Sequence, residues 1–336
     1  MRQHTPAHIP ELKNVTQLAA GSQHVLALTV TVIKSKARGA NASGSQPKGK
    51  SPGRPPKNKK ATTTRANTTA SPAKDKTKHA IYAWGANKRG QLGCKITRRQ
   101  QDNLKSLLPH LCAFPRTTKY DDEAIIGAGS FHSFAAKLND SVYAWGYNSF
   151  GQTGLYEGQG VQVLKDNSVI EFPKQVDNLQ KNRPSQITGG DHHSIAITED
   201  GRCLSWGSIY HNVLGVPLST LRAHDVLDDG AQTNPRPLMP KEPFLVQGIG
   251  VQNAMAAAGP GHSIAVAERL PAVDGTPGVH GKAYAWGSNR ECEVTNDNLP
   301  FGAEAPYRVC RGPDGIRNRH VISASAGREF SVLLVE

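Results

Sequence analysis

The chain has 336 residues, with 40 Lys or Arg against 27 Asp or Glu and only 6% aromatic residues. A chain of this length buries a sizeable core without disulfide or metal staples, and no apolar run reaches the roughly 18–20 residues of a bilayer-spanning helix, so no membrane association is expected. The opening MRQHTPAHIPELKN lacks the apolar centre of a secretory signal, which points to the nucleus or the cytoplasm.

The net charge of +13 invites a nucleic-acid reading, but it is concentrated in one place. Residues 31–80 hold 13 Lys or Arg and a single acid, Asp75, so 12 of the 13 net charges sit there and the rest of the chain is close to neutral. Five cysteines (Cys94, Cys112, Cys203, Cys292 and Cys310) are scattered with no CxxC and no His/Cys cluster of zinc-ligand spacing. They read as reduced thiols, and neither a metal nor a cofactor is expected.

Taken in order, the first element is AAGSQHVLAL (19–28), a glycine turn followed by an alternating strand. Residues 1–32 therefore open the first recognisable repeat. The strand ends near Val32 and resumes at His79–Gly85 only after residues 33–78, which have no aromatic residue and are rich in Lys, Thr, Ser, Pro and Gly. Such a segment cannot bury enough apolar area to offset its ordering entropy, so it is expected to be a disordered basic insert in a hairpin turn.

The remaining repeats occupy residues 79–336. The glycine-turn phrase returns as GAGSFHSFAA (127–136), GGDHHSIAI (189–197), AAGPGHSIAV (257–266) and SAGREFSVLL (325–334). A second phrase follows four of the five: YAWGANKRGQLG (82–93), YAWGYNSFGQTG (143–154), LSWGSIYHNVLG (204–215) and YAWGSNRECEV (284–294). Its tryptophans, Trp84, Trp145, Trp206 and Trp286, are spaced by 61, 61 and 80 residues. A period of that length, built from short strands and Gly-rich turns, suits one four-stranded blade per repeat and excludes a helical solenoid. The two phrases read as an antiparallel hairpin, most clearly at ITEDGRCLSWG, where Asp200-Gly201 is expected to supply a positive-φ pair and Ile195 and Ile197 to mark a half-buried strand.

Residues that recur in every repeat serve the repeat first. The tryptophans read as packing between blades, and His24, His132, His193 and His262 read mainly as buried groups bonded within the framework. His192 stands outside the periodic position and is the better contact candidate. No nucleophile–base–orienter constellation is visible, GANKRGQ (85–91) lacks the Lys-Ser/Thr of a phosphate loop, and no catalytic residue is assigned.

The GxxHS phrase, the YAWGxNxxGQLG phrase and the period of about 60 residues together resemble the regulator of chromosome condensation (RCC1-type) repeat family. IPELKNVTQLAAGSQHVLAL (9–28) and NRHVISASAGREFSVLLVE (318–336) are similar to fungal nuclear exchange factors for the GTPase Ran. The resemblance implies an all-β fold, a seven-bladed propeller in the family with about four to five blades present here and roughly the first two missing, as in a fragment or in a shortened relative. It implies a guanine-nucleotide exchange factor for Ran, in the nucleus, acting in nucleocytoplasmic transport and cell-cycle control. The alternative is a propeller scaffold that binds protein partners or chromatin without exchange.

Carried over position by position, the GTPase-contact candidates are Gln23, His24, His132, Asp191, His192, His193 and His262. The family has an acid where Gln23 stands, in some members, and a histidine where Phe330 stands, which weakens the exchange reading. Within the insert, SPGRPPKNKK (51–60) is similar to a minor-groove hook with a Gly-Arg-Pro core, lacking the arginine before the glycine. Arg54, Lys57, Lys59 and Lys60 are thus candidates for binding histones or DNA, for an import signal, or for a solvated linker.

Overall fold

Every glycine-turn phrase becomes a strand, and every tryptophan phrase becomes the strand paired with it. The computed structural model describes residues 8–33, 76–94, 105–115, 124–138, 141–156, 168–222, 225–228, 237–249, 253–267, 281–294, 302–309 and 320–336. The chain divides into two units, Met1–Val30 with His79–Glu336, and Thr31–Lys78. Only the ends of the second unit are described. The insert positions Arg54, Lys57, Lys59 and Lys60 lie outside the described residues, as does Cys310.

The first sheet contains β1 (Val15–Ala20), β2 (His24–Ile33), β3 (Lys76–Ala86) and β4 (Lys105–Leu111) in that order. The second repeats the order with β5 (Ile125–Ala128), β6 (His132–Leu138), β7 (Ser141–Tyr147) and β8 (Val169–Gln175), followed by the one-turn helix α1 (Asp177–Gln180). The third has β9 (Pro184–Gly189), β10 (His193–Thr198) and β11 (Cys203–Gly207). An excursion containing the separate hairpin β12 (Val226–Asp228) and β13 (Pro237–Pro240) precedes its outer strand, β14 (Phe244–Leu245). The fourth is β15 (Asn253–Ala258), β16 (His262–Ala267), β17 (Lys282–Gly287) and β18 (Ala303–Arg308), and a last pair is β19 (Val321–Ala326) with β20 (Ser331–Val335). The described strands pair antiparallel, and the innermost strands β1, β5, β9, β15 and β19 neighbour one another in chain order. This is a β-propeller of four-stranded blades.

Two local expectations need correction. In the β10–β11 hairpin only Gly201 is left-handed, at φ 79°; Asp200 is not. The loop has three residues, closed by Gly201 N–H donating to the Thr198 carbonyl at 2.9 Å, which needs positive φ at its last position only. Asp200 instead binds the Thr198 hydroxyl and the Arg202 guanidinium. Nor is β10 half-buried, for all six of its residues are buried. Ile195 and Ile197 pack toward Ile264 and Trp286 of the fourth blade, while Ala196 packs with Phe134 and Leu155 of the second. A blade held between two others has no solvent face, and the small residues on one side of the strand make room for the neighbour's aromatic rings.

Neighbouring inner strands do not share a ladder, so side chains bridge them. The Gln17 amide donates to the Ile126 carbonyl at 3.3 Å and accepts from Ile126 N–H at 2.8 Å. Gln186 does the same to Ala256 at 3.0 and 2.7 Å. Both amides thereby satisfy backbone groups that would otherwise be unpaired.

Candidate functional site

The glycine turns and the loops that follow the tryptophan strands emerge on the same face of the blades, since both connect at the same end of the antiparallel strands. The turns are linked to one another. Ser22 N–H donates to the Ser130 carbonyl at 3.3 Å, Ser130 N–H to Gly190 at 2.9 Å and Asp191 N–H to Pro260 at 3.4 Å. Around them lies an opening of about 610 Å³ lined by Gln23, Ser130, Asp191, Pro260 and Arg328 among others.

Beneath the turns a bonded set recurs four times. His24 Nε2 meets Ser133 Oγ at 2.8 Å, His132 meets Ser194 at 2.7 Å, His193 meets Ser263 at 2.8 Å and His262 meets Ser331 at 3.1 Å, always from one blade to the next. Each serine hydroxyl donates in turn to a loop carbonyl of the histidine's own blade: Gln91, Gln152, Val213 and Glu293, at 2.6–3.1 Å. Because the hydroxyl hydrogen goes to the carbonyl, the imidazole must donate, which fixes the Nε2–H tautomer. Trp145, Trp206 and Trp286 add their indole N–H groups to the first three of these carbonyls at 2.8–3.0 Å.

The four histidines are buried, and their Nδ1 atoms have no hydrogen-bond partner. Burial accordingly holds His24 at about 4 and His193 at about 3, and lowers His132 and His262 as well, so all four are neutral near pH 7. Each ring lies on the glycine of its own turn; a side chain at Gly129 would collide with His132. In the last pair Phe330 takes the histidine's place against Gly327.

The loops above this set share a frame as well. Asn87, Asn148 and Asn289 each accept, through Oδ1, the N–H of the residue five positions on, at 2.9–3.1 Å. The position that needs a left-handed backbone is filled by Gly90, Gly151, Asn212 and Cys292, with φ between 60° and 72°. The residues at the loop tips, by contrast, differ in every blade: Lys88-Arg89, Ser149-Phe150, Tyr210-His211 and Arg290-Glu291.

The sequence candidates separate on this face. Gln23 is exposed at the opening, and Asp191 is partly buried with its carboxylate accepting from the Ser130 hydroxyl. His192 is half-buried between the rings of Phe150 and Tyr147, at centroid distances of 4.8 and 6.0 Å. Burial lowers its pKa despite the opposing charge of Asp191. Trp145, Trp206 and Trp286 are fully buried, whereas Trp84 is only partly so. Sequence reasoning missed Ser133, Ser194, Ser263 and Ser331, although a serine after the periodic position was there to be read. It also missed Arg89, Tyr147 and Phe150, which break the repeat and therefore escape a search for it. Cys94, Cys112 and Cys203 are buried thiols, and Cys292 is an exposed one. Among the described residues no cluster of three or more His, Cys, Asp or Glu could hold a metal ion, and no helix is long and apolar enough to cross a membrane.

The family model described as the regulator of chromosome condensation (RCC1) repeat matches residues 78–136 and 139–197, and a second model of the same repeat matches 124–152 and 185–212. Residues 78–212 of the chain are thus made of RCC1 repeats. Among curated relatives it is 30% identical over 253 residues to protein pim1 of Schizosaccharomyces pombe, an alignment covering 75% of this chain and 41% of that protein. It is 28% identical over 252 residues to the guanine nucleotide exchange factor SRM1 of Saccharomyces cerevisiae, covering 75% of this chain and 46% of that one. The chain therefore spans less than half the length of these relatives. Its fold is similar to the crystal structure of Prp20p from Saccharomyces cerevisiae, studied for its binding to Gsp1p and histones, with a TM-score of 0.68 and 23% identity over 99% of this chain and 59% of that one. In these RCC1 repeats the residues that recur hold blade to blade, and the ones that vary face outward.

Proposed function

We propose that this RCC1-repeat chain is part of a nuclear guanine-nucleotide exchange factor, binding a Ran-type GTPase on the face that carries the glycine turns. The observation that carries this reading is the linked set of turns with Gln23, Asp191 and His192 at the surface, set on neutral histidines that bond each blade to the next. Similarity to SRM1, named as an exchange factor, and to Prp20p, described as binding Gsp1p and histones, supports it.

Exchange makes no covalent bond. A platform that binds the nucleotide-free GTPase better than the loaded one accelerates release by that difference in affinity, and a rigid face loses little of the gain to ordering. In this reading the periodic histidines act through the blades they join and do not touch the partner, while Gln23, Asp191 and His192 do. The insert, through Arg54, Lys57, Lys59 and Lys60, binds histones or DNA, or serves import.

Gln23 and Phe330 favour a second reading, a propeller scaffold without exchange. Phe330 is 58% exposed and brings no titratable or donor group to its turn. The test is the release of labelled GDP from purified Ran in the presence of this chain. Acceleration supports exchange. Binding to nucleotide-free Ran without acceleration supports the scaffold, and neither effect overturns both.

A further inference from the structure

Two kinds of bond join neighbouring blades: the His–Ser–carbonyl set beneath the turns, and a side chain that reaches from one inner strand to the next. The second kind comes from the position four residues before the turn glycine, occupied by Gln17, Ile125, Gln186 and Met255 in successive repeats. Gln17 and Gln186 each hold both the N–H and the carbonyl of one residue on the next inner strand, Ile126 and Ala256. Met255 meets the equivalent residue with a thioether, its Sδ accepting from Ala324 N–H at 3.1 Å. Sulfur is a weak acceptor with no hydrogen to give, so it leaves the Ala324 carbonyl without the bond a glutamine would supply.

The other bonds of that joint are also the poorest of their kind. His262 meets Ser331 at 3.1 Å, where the other three distances are 2.7–2.8 Å. The Glu293 carbonyl accepts the Ser331 hydroxyl without the indole N–H that Gln91, Gln152 and Val213 also receive. Ile125 makes no amide bridge, but its joint keeps the Trp206 indole. Among the described residues, only the joint between the fourth blade and the last pair has neither an amide bridge nor an indole.

A thioether in this place is open to chemistry that an amide is not. Peroxides act on the sulfur lone pairs, and one of these accepts the Ala324 N–H. The O–O bond breaks, one oxygen forms a bond to sulfur using its lone pair, and the other leaves as water. The sulfoxide is polar and bulkier at the sulfur, and dedicated reductases return it to the thioether. Met239 is fully buried, whereas Met255 is partly open to solvent.

We infer that Met255 is an oxidation site, and that its conversion to the sulfoxide loosens the joint between the fourth blade and the β19–β20 pair. The site stands whether or not the turn face binds a GTPase.

The test treats the folded 336-residue chain with hydrogen peroxide, following oxygen uptake at each methionine by peptide mass mapping and hydrogen exchange of β19. Met255 is expected to oxidise at least roughly tenfold faster than Met239. Exchange of the Ala324 amide should then quicken about three- to tenfold, with β9 and β10 unchanged. Met255→Gln can hold both groups of Ala324 as Gln186 holds those of Ala256. It should slow exchange there below the parent's rate and abolish the response to peroxide. Equal oxidation of Met239 and Met255 overturns the site. Oxidation of Met255 that leaves β19 exchanging at its original rate overturns the loosening, as does a response to peroxide that persists in folded Met255→Gln.

Discussion

The third blade and the outermost pairs are built from the same phrases and meet different surroundings. In the third blade every residue of β10 and β11 is buried, whereas β20 alternates, with Val332 and Leu334 more than half exposed, and β1 exposes Leu18 to 63%. The strand sequence does not decide burial here; the neighbouring blade does. A blade is stabilised chiefly by what it is pressed against, and the His–Ser–carbonyl set marks where that pressing occurs.

The largest test of this contrast is tryptophan removal. Trp206→Ala empties a fully enclosed site and removes one of the two donors to the Gln152 carbonyl, and is expected to cost about 3–5 kcal/mol in urea unfolding. Trp84→Ala, at a partly exposed site of the first blade, should cost less than about half of that. Equal losses would show that neighbours do not set the energy.

Acid comes next. The native pKa values of His24 and His193 lie below the usual 6.5, so the unfolded chain takes up protons first as pH falls. Stability is complete above pH ~6.5 and is lost as pH drops toward the folded values, by about 2 kcal/mol for each of these histidines between pH 7 and pH 5. Denaturation midpoints at the two pH values measure it, and His24→Gln should flatten the slope.

The smallest contrast sets Ser194→Ala against Phe330→Ala. The first leaves the His132 N–H without its acceptor in a buried joint and should cost about 1–2 kcal/mol. The second trims a ring that is 58% exposed and should cost under about 1 kcal/mol in the same assay.

Much of the fold was legible in the sequence because repetition amplifies weak signals. One glycine turn before one alternating strand means little; five of them, with tryptophans 61 residues apart, define blades. What stayed hidden has a physical cause in each case. Burial on both faces of β10 depends on a partner 60 residues away, and the β12–β13 hairpin carries no repeat phrase. The site was harder still. The recurring histidines drew attention through periodicity, yet periodicity is what ties them to the interior, while Arg89, Tyr147 and Phe150 have no counterpart in other blades. Within the candidate turns only His192, the extra histidine, could be singled out by breaking the rule.

The acceptor at each joint is a main-chain oxygen, and the side chains that accompany it are Gln91, Gln152, Val213 and Glu293, four positions with three unrelated chemistries. Each blade is thus addressed through a coupling that no side-chain substitution at that position can edit. Modules joined in this way are exchangeable: a loop can lengthen or change its tip, or a whole blade can be replaced by another, so long as one oxygen is presented at the same place. Diversity of partners across such proteins then requires no redesign of the scaffold, only new lettering on its rim.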